Sequence, residues 1–186
     1  MEVIPISSVT DALRIKTGFR FYRGVSDADY ELIPMIGRKM PNGERTYPGS
    51  IEFGMFNEFK LKAAQYVNRD MDEGEWLVFA QHHGLPTRLL DWTTNILVAI
   101  YFAVEKEKES GDSAVWVVEA KPLIYPINED PFLIKEVKFF APAHISPRVA
   151  TQMGAFTIHP EPDQAFEPEL APMRQKISGP SPSECI

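Results

Sequence analysis

Apolar residues fall into two kinds of spacing along this chain. The stretch SSVTDALRIK, residues 7–16, sets Val9, Ala12 and Leu13 on one side and predicts a short helix capped by Ser7 or Ser8. In FRFYRG, residues 19–24, Phe19, Phe21 and Arg23 alternate with Arg20 and Tyr22, the two-residue period of a strand. RKMPNGERTYPG, residues 38–49, has the Pro-Asn-Gly and Pro-Gly punctuation of loops. Phe56, Phe59, Ala63 and Val67 then repeat at helical spacing and predict a helix over about 50–67. A second helix is predicted over about 72–83, with Trp76, Phe79, Ala80 and His83 on its buried side and Gly84 as its stop. Asp91 or Thr93 is expected to cap a third, reaching about Lys108, with Ile96, Ile100, Ala103 and Val104 inward. After the Gly111-Asp112 turn, residues 114–119 are β-branched and aromatic and predict a strand. Shorter strands are expected at 122–127, 135–140 and 155–158, with a short helix opening at Ser146-Pro147 and ending at Gly154.

Helices mostly precede strands in this order. That predicts an α+β fold: a single domain with N-terminal helices packed on a small, mostly antiparallel sheet. Residues 1–18 form a leading segment, 19–160 the domain, and 161–186 a proline-rich tail, read as extended and partly disordered or truncated. Hydrophobic residues make up 44% of the 186, enough for a real core. The net charge of −7 leaves no excess of Lys and Arg for a general nucleic-acid surface. A single cysteine, Cys185, excludes an internal disulfide or a cysteine-based zinc site and fits a reducing cytoplasm. The N-terminus has no signal-peptide pattern, and no run approaches the ~20 apolar residues of a membrane span.

One short stretch concentrates the chemistry. QHHGLPTRLLDWT, residues 81–93, carries Gln81, His82, His83, Thr87, Arg88 and Asp91 between two apolar segments. His83 shares a predicted face with Trp76 and Phe79, so it reads either as a core histidine or as a site residue. His82 falls at a helix C-terminus, which favours the imidazolium and suits a proton donor or anion binder. Arg88 and Asp91 read as a local ion pair. Arg23 ends a strand between aromatic neighbours. Its guanidinium either pairs with Asp91 in the interior or grips a phosphate or ribose through its fork of donors. Gly24 leaves room for a ligand to approach the backbone. Gln152 and Thr157 form a third polar group around a helix stop, with His159 beside them. No Gly-rich phosphate loop, HExxH or GxSxG occurs, and no metal site is expected.

These residues resemble the FRG domain family, named for its (Phe/Tyr)-Arg-Gly motif. The resemblance is carried by Tyr22-Arg23-Gly24, Tyr30-Glu31-Leu32-Ile33-Pro34, the long Gln81–Thr93 motif, Tyr101-Phe102-Ala103, Ala114-Val115-Trp116 and Gln152-x-Gly154-x-Phe156-Thr157. It covers roughly residues 19–160 and implies a bacterial or phage protein. It also leads to the expectation of a further apolar helix after the closing strand, where GPSPSECI is short and polar. An aromatic-Arg-Gly ending an early strand is similar, at motif level, to the start of the NAD cleft in arginine-type ADP-ribosyltransferases. The Ser-Thr-Ser strand of those enzymes is absent here, and Glu167-Pro168-Glu169 imitates their Glu-x-Glu from within the tail.

Two functional classes follow. One is a nucleotide-handling, NAD-using transferase. Arg23 would hold pyrophosphate or ribose, and His82 would act on a hydroxyl. Asp91 would face the positive charge left as nicotinamide departs, and Tyr22 or Trp92 would stack on a ring. Gly24, Gln81, His83, Thr87, Arg88, Gln152 and Thr157 would line the ligand. NAD would be a substrate rather than a tightly bound cofactor, with a protein or nucleic-acid acceptor and no membrane. This class asks Arg23 and His82 to face one hollow. The other class is a non-catalytic nucleotide-sensing or partner-binding module built on the same residues. A magnesium nuclease finds no fitting carboxylate constellation.

Overall fold

The computed structural model describes residues 20–49, 51–105, 111–119, 123, 127, 129–142, 154–167 and 175–177. The observed class is the expected one, a single α+β domain with antiparallel strand pairs. Contacts along the chain gather into two compact units. The expected helix at 7–16 and the one opening at Ser146 lie outside the described residues, as does most of the expected strand at 122–127.

The first unit is built on strand β1 (Arg20–Val25). It pairs along its whole length with β3 (Ser113–Glu119), from Arg20 opposite Glu119 to Val25 opposite Ala114. On its other edge Tyr22 stands opposite Thr93, at the end of β2 (Leu89–Thr93). The tail contributes β6 (Gln175–Ile177), antiparallel to β3, a strand its proline-rich surroundings conceal. Helix α3 (Ile96–Val104) lies on the Tyr22 face, where Ala99 and Ala103 pack with Tyr22, Val115 and Val117.

Gly24 makes that approach feasible. A Cβ built there would fall 1.8 Å from the Ala99 carbonyl oxygen and 2.8 Å from the Ala103 nitrogen. The space left by the missing side chain is therefore filled by the helix backbone, in place of the ligand expected from sequence.

The expected start of α3 needs correction. Residues 89–93 are strand, and the cap is Asn95, whose side chain accepts from the Leu97 N–H at 3.0 Å. Asp91 and Thr93 have capping side chains, but Leu89, Leu90 and Trp92 are apolar and buried, and tertiary pairing overrides the local signal.

The second unit holds the other two helices, α1 (Ile51–Ala63) and α2 (Glu73–His82), with β4 (Lys138–Phe140) and β5 (Gly154–Ile158). The strands pair from Lys138 opposite Ile158 to Phe140 opposite Phe156, and the His159 N–H continues the ladder to the Arg88 carbonyl beside the first residues of β2. Phe56, Leu77, Val78, Ala80, Leu89, Phe140, Phe156 and Ile158 form the core between helices and strands.

Helix α2 opens with a capping box. The Asp72 carboxylate accepts from the Glu75 N–H at 2.9 Å, and the Glu75 side chain accepts from the Asp72 N–H at 3.1 Å. Its buried side is the expected one only in part, with Ala80 buried as expected. Gly74, Leu77 and Val78 face inward, while Trp76 and Phe79 are half-buried. Gly74 lies close against the core: a Cβ there would meet Ile127 Cδ1 at 3.0 Å and Phe140 at 3.1 Å. The three rings expected inside become a rim.

Residues 161–166, expected as loose tail, belong to this unit. The Pro162 carbonyl sits where a Cβ on Gly37 would go, at 1.8 Å. Asp163 pairs with Arg45, and the Phe166 N–H donates to the Leu32 carbonyl at 3.0 Å. Among the described residues no helix is long and apolar enough to cross a membrane.

Candidate functional site

The chemistry-rich corner begins where α2 ends. His83 is its C-cap, and Gly84 follows at φ 88°, the left-handed conformation that glycine adopts without strain. The Leu85 N–H reaches back to the Ala80 carbonyl at 3.0 Å and the Gly84 N–H to the Gln81 carbonyl at 2.9 Å. These two bonds make a Schellman stop, which turns the chain into Leu85-Pro86-Thr87 and then into β2.

The turn lets residues from the helix and the strand meet. Thr87 is fully buried; its hydroxyl donates to the Gln81 side-chain oxygen at 2.5 Å and accepts from the Leu89 N–H at 3.3 Å. With that oxygen engaged, the Gln81 amide must present its nitrogen outward. It donates to Asp91 Oδ1 at 2.7 Å. A buried hydroxyl thus sets the orientation of an amide, and the amide holds an exposed carboxylate on β2. Such support from behind narrows the positions a surface carboxylate samples.

Arg88 has a different role from the one expected. Its partner is Glu52, in the first turn of α1, and both residues are buried. The guanidinium donates from Nη2 to Glu52 Oε2 at 2.7 Å and from Nε to both carboxylate oxygens at 3.1 and 3.2 Å. Its Nη1 donates to the Pro131 carbonyl at 3.1 Å and to the His159 carbonyl at 3.4 Å, and its plane lies 4.7 Å from the Phe132 ring centre. The Arg88 N–H adds a bond to Glu52 Oε1 at 3.1 Å. Arg88 is therefore a clamp joining α1, β2, the 131–132 turn and the end of β5. Asp91, three residues on, is engaged by Gln81 instead.

Other expected site residues also sit within the scaffold. Thr157 is buried with its hydroxyl 2.9 Å from His159 Nε2, and the His159 ring stacks edge-on against Phe166. Tyr22 and Trp92 are core residues. Arg23 is half-buried on the β1 face away from α3, in register with Trp116. It belongs to the first unit, whereas Gln81, His82 and Asp91 belong to the second. His82 and His83 are exposed, with ring centres 5.6 Å apart, so the core reading of His83 fails. Its ring packs on Phe79, which is itself on the rim. Gln152 lies outside the described residues. Among the described residues no group of three His, Cys, Asp or Glu is placed to hold a metal ion.

Sequence reasoning missed Glu52. The available signal was a lone acid inside the apolar run Ile51-Glu52-Phe53, but its partner is 36 residues away.

The early Tyr-Arg-Gly strand and the helix stop that leads through QHHGLPTRLLDWT into a paired strand both lie within residues 20–112. The family model of the FRG domain matches residues 20–112, half of the chain, and the chain belongs to that family. No curated protein and no solved structure matches it.

Proposed function

We propose that this FRG-domain protein handles nucleotides and uses NAD as a substrate, transferring its ADP-ribosyl group to a protein or nucleic-acid acceptor. The observation that supports this reading is the exposed Asp91 carboxylate, positioned by Gln81 and, behind it, by buried Thr87. In the transfer, the bond between nicotinamide and ribose C1′ breaks and its electron pair leaves with nicotinamide. Positive charge develops on the ribose, and a fixed carboxylate beside it lowers the barrier. The acceptor atom forms the new bond to C1′ and releases its proton. His82, exposed one residue from Gln81 on α2, is the base assigned to take that proton. Gln81 is a positioning residue.

The test is release of nicotinamide, or label transfer from NAD, in wild type, Asp91→Asn and His82→Ala. Asp91→Asn keeps the shape and the Gln81 contact but removes the charge. It should fold normally and lose about 100-fold or more in turnover. Wild-type turnover in a folded Asp91→Asn protein ends this reading. Arg23→Ala, run alongside, asks whether the guanidinium of the Tyr-Arg-Gly motif takes part.

The second reading, a non-catalytic nucleotide-sensing or partner-binding module, draws on the fact that Thr87, Arg88, Tyr22 and Thr157 are engaged internally. It predicts a raised thermal midpoint with a nucleotide and no NAD consumption.

A further inference from the structure

On the flank of α2 away from Gln81 lies a hollow. It is bounded by Phe59, Lys62, Ala63 and Tyr66 from α1 and the turn after it, and by Phe79 and His83 from α2. Its volume is about 320 Å³, at the lower end for small-molecule sites. Phe79 and His83 are one helical turn apart; Gln81, between them, points to the opposite side. The hollow is thus separate from Asp91 and does not rest on the transfer reading.

Three rings shape it. Phe59 and Phe79 meet nearly edge to face at 5.7 Å, and Phe79 and His83 do the same at 4.5 Å. Ala63, the smallest of the lining residues, leaves the space between them. The interior is apolar, and the polar groups are those of Lys62, His83 and Tyr66. Lys62 is exposed and bonded to Glu58 one turn back at 2.6 Å, which holds the Glu58 carboxyl below its ordinary value. An exposed pair of that kind is weak and yields readily to a competing anion.

We infer that this hollow binds the base of a free nucleoside monophosphate, with Lys62 meeting the phosphate. The aromatic walls suit a flat ring of either polarity, because every base has a stacking face. The imidazole of His83 and the phenol of Tyr66 offer hydrogen bonds to ring nitrogens and exocyclic groups. Charge selects the size of the ligand. One ammonium answers one phosphate, while a chain of net charge −7 repels a polyanionic strand.

The experiment is an NMR titration of the whole chain, following the ring resonances of His83 and Tyr66 with AMP, adenosine, ribose 5-phosphate and a short single strand of poly(dA). AMP should shift both rings saturably at millimolar concentrations or below. Adenosine should bind several-fold more weakly, and ribose 5-phosphate should leave the rings unmoved. Ala63→Leu fills the hollow and should abolish the AMP shifts. Should that variant fail to fold, Tyr66→Ala, at an exposed position, should weaken AMP several-fold. Lys62→Gln should bring AMP to the affinity of adenosine. The inference is overturned if AMP gives no saturable shift or if folded Ala63→Leu binds like wild type. It is equally overturned if ribose 5-phosphate matches AMP or the DNA strand binds more tightly than AMP.

Discussion

Removing the carboxylate from Glu52 tests the Arg88 clamp. In Glu52→Gln the side chain keeps its shape, but the guanidinium loses the charge it meets at 2.7 Å. Arg88 is only 7% exposed and Glu52 3%, so water cannot readily replace that partner. Two carbonyls and the Phe132 face remain, and none of these carries a charge. Breaking a buried pair from one side costs roughly 3–5 kcal/mol, mostly the burden of an uncompensated buried charge. A chain of this size loses about 2–4 °C of thermal midpoint per kcal/mol, so the midpoint should fall by about 6–20 °C. Arg88→Lys keeps the charge but not the planar fork, and should fall between wild type and Glu52→Gln. The double variant Glu52→Met with Arg88→Met leaves neither charge and should recover most of the loss. Thermal and urea denaturation of these proteins measure this directly, and the single variants Glu52→Met and Arg88→Met close the cycle that isolates the coupling. A loss under about 1 kcal/mol in Glu52→Gln, or a double variant worse than the sum of its singles, refutes the clamp.

Three further perturbations probe single contacts. Gly24→Ala drives a methyl into the α3 backbone at 1.8 Å, so the helix must move; a loss of about 3 kcal/mol or more is expected by urea denaturation, and an unchanged midpoint contradicts the packing. Gly84→Ala meets open space but a φ of 88°, so only backbone strain of about 1 kcal/mol should appear in thermal melts. Burial raises the pKa of Asp72 above its ordinary 3.8, against the opposing bonds from the Glu75 and Gly74 N–H groups. The folded state then binds this proton more tightly than the unfolded state. Ionising Asp72 therefore costs stability, in full above the folded pKa and not at all below the unfolded one. Asp72→Asn keeps a capping oxygen without the charge. Its stability relative to wild type should improve as pH rises through the folded pKa, and a difference that is flat across that range defeats the assignment.

Local rules made much of this fold legible. Helical spacing in Phe56, Phe59 and Ala63 located α1, and the Gly84 stop bounded α2, because left-handed glycines act within a few residues. Alternation located β1, and β-branched and aromatic density located β3. The α+β class and the FRG resemblance followed from the same short-range signals and motifs. The partners of the polar residues were not legible. Thr87, Arg88 and Asp91 are neighbours in sequence, yet they turn to Gln81 and to Glu52, and Gly24 lies under a helix more than seventy residues later. Helix α2 turns Gly74, Leu77, Val78 and Ala80 to the core and leaves Trp76, Phe79 and His83 at its rim. Sequence spacing specifies which residues share a face. Which face is buried, and which charge meets which, depends on groups brought together only when the whole chain has packed.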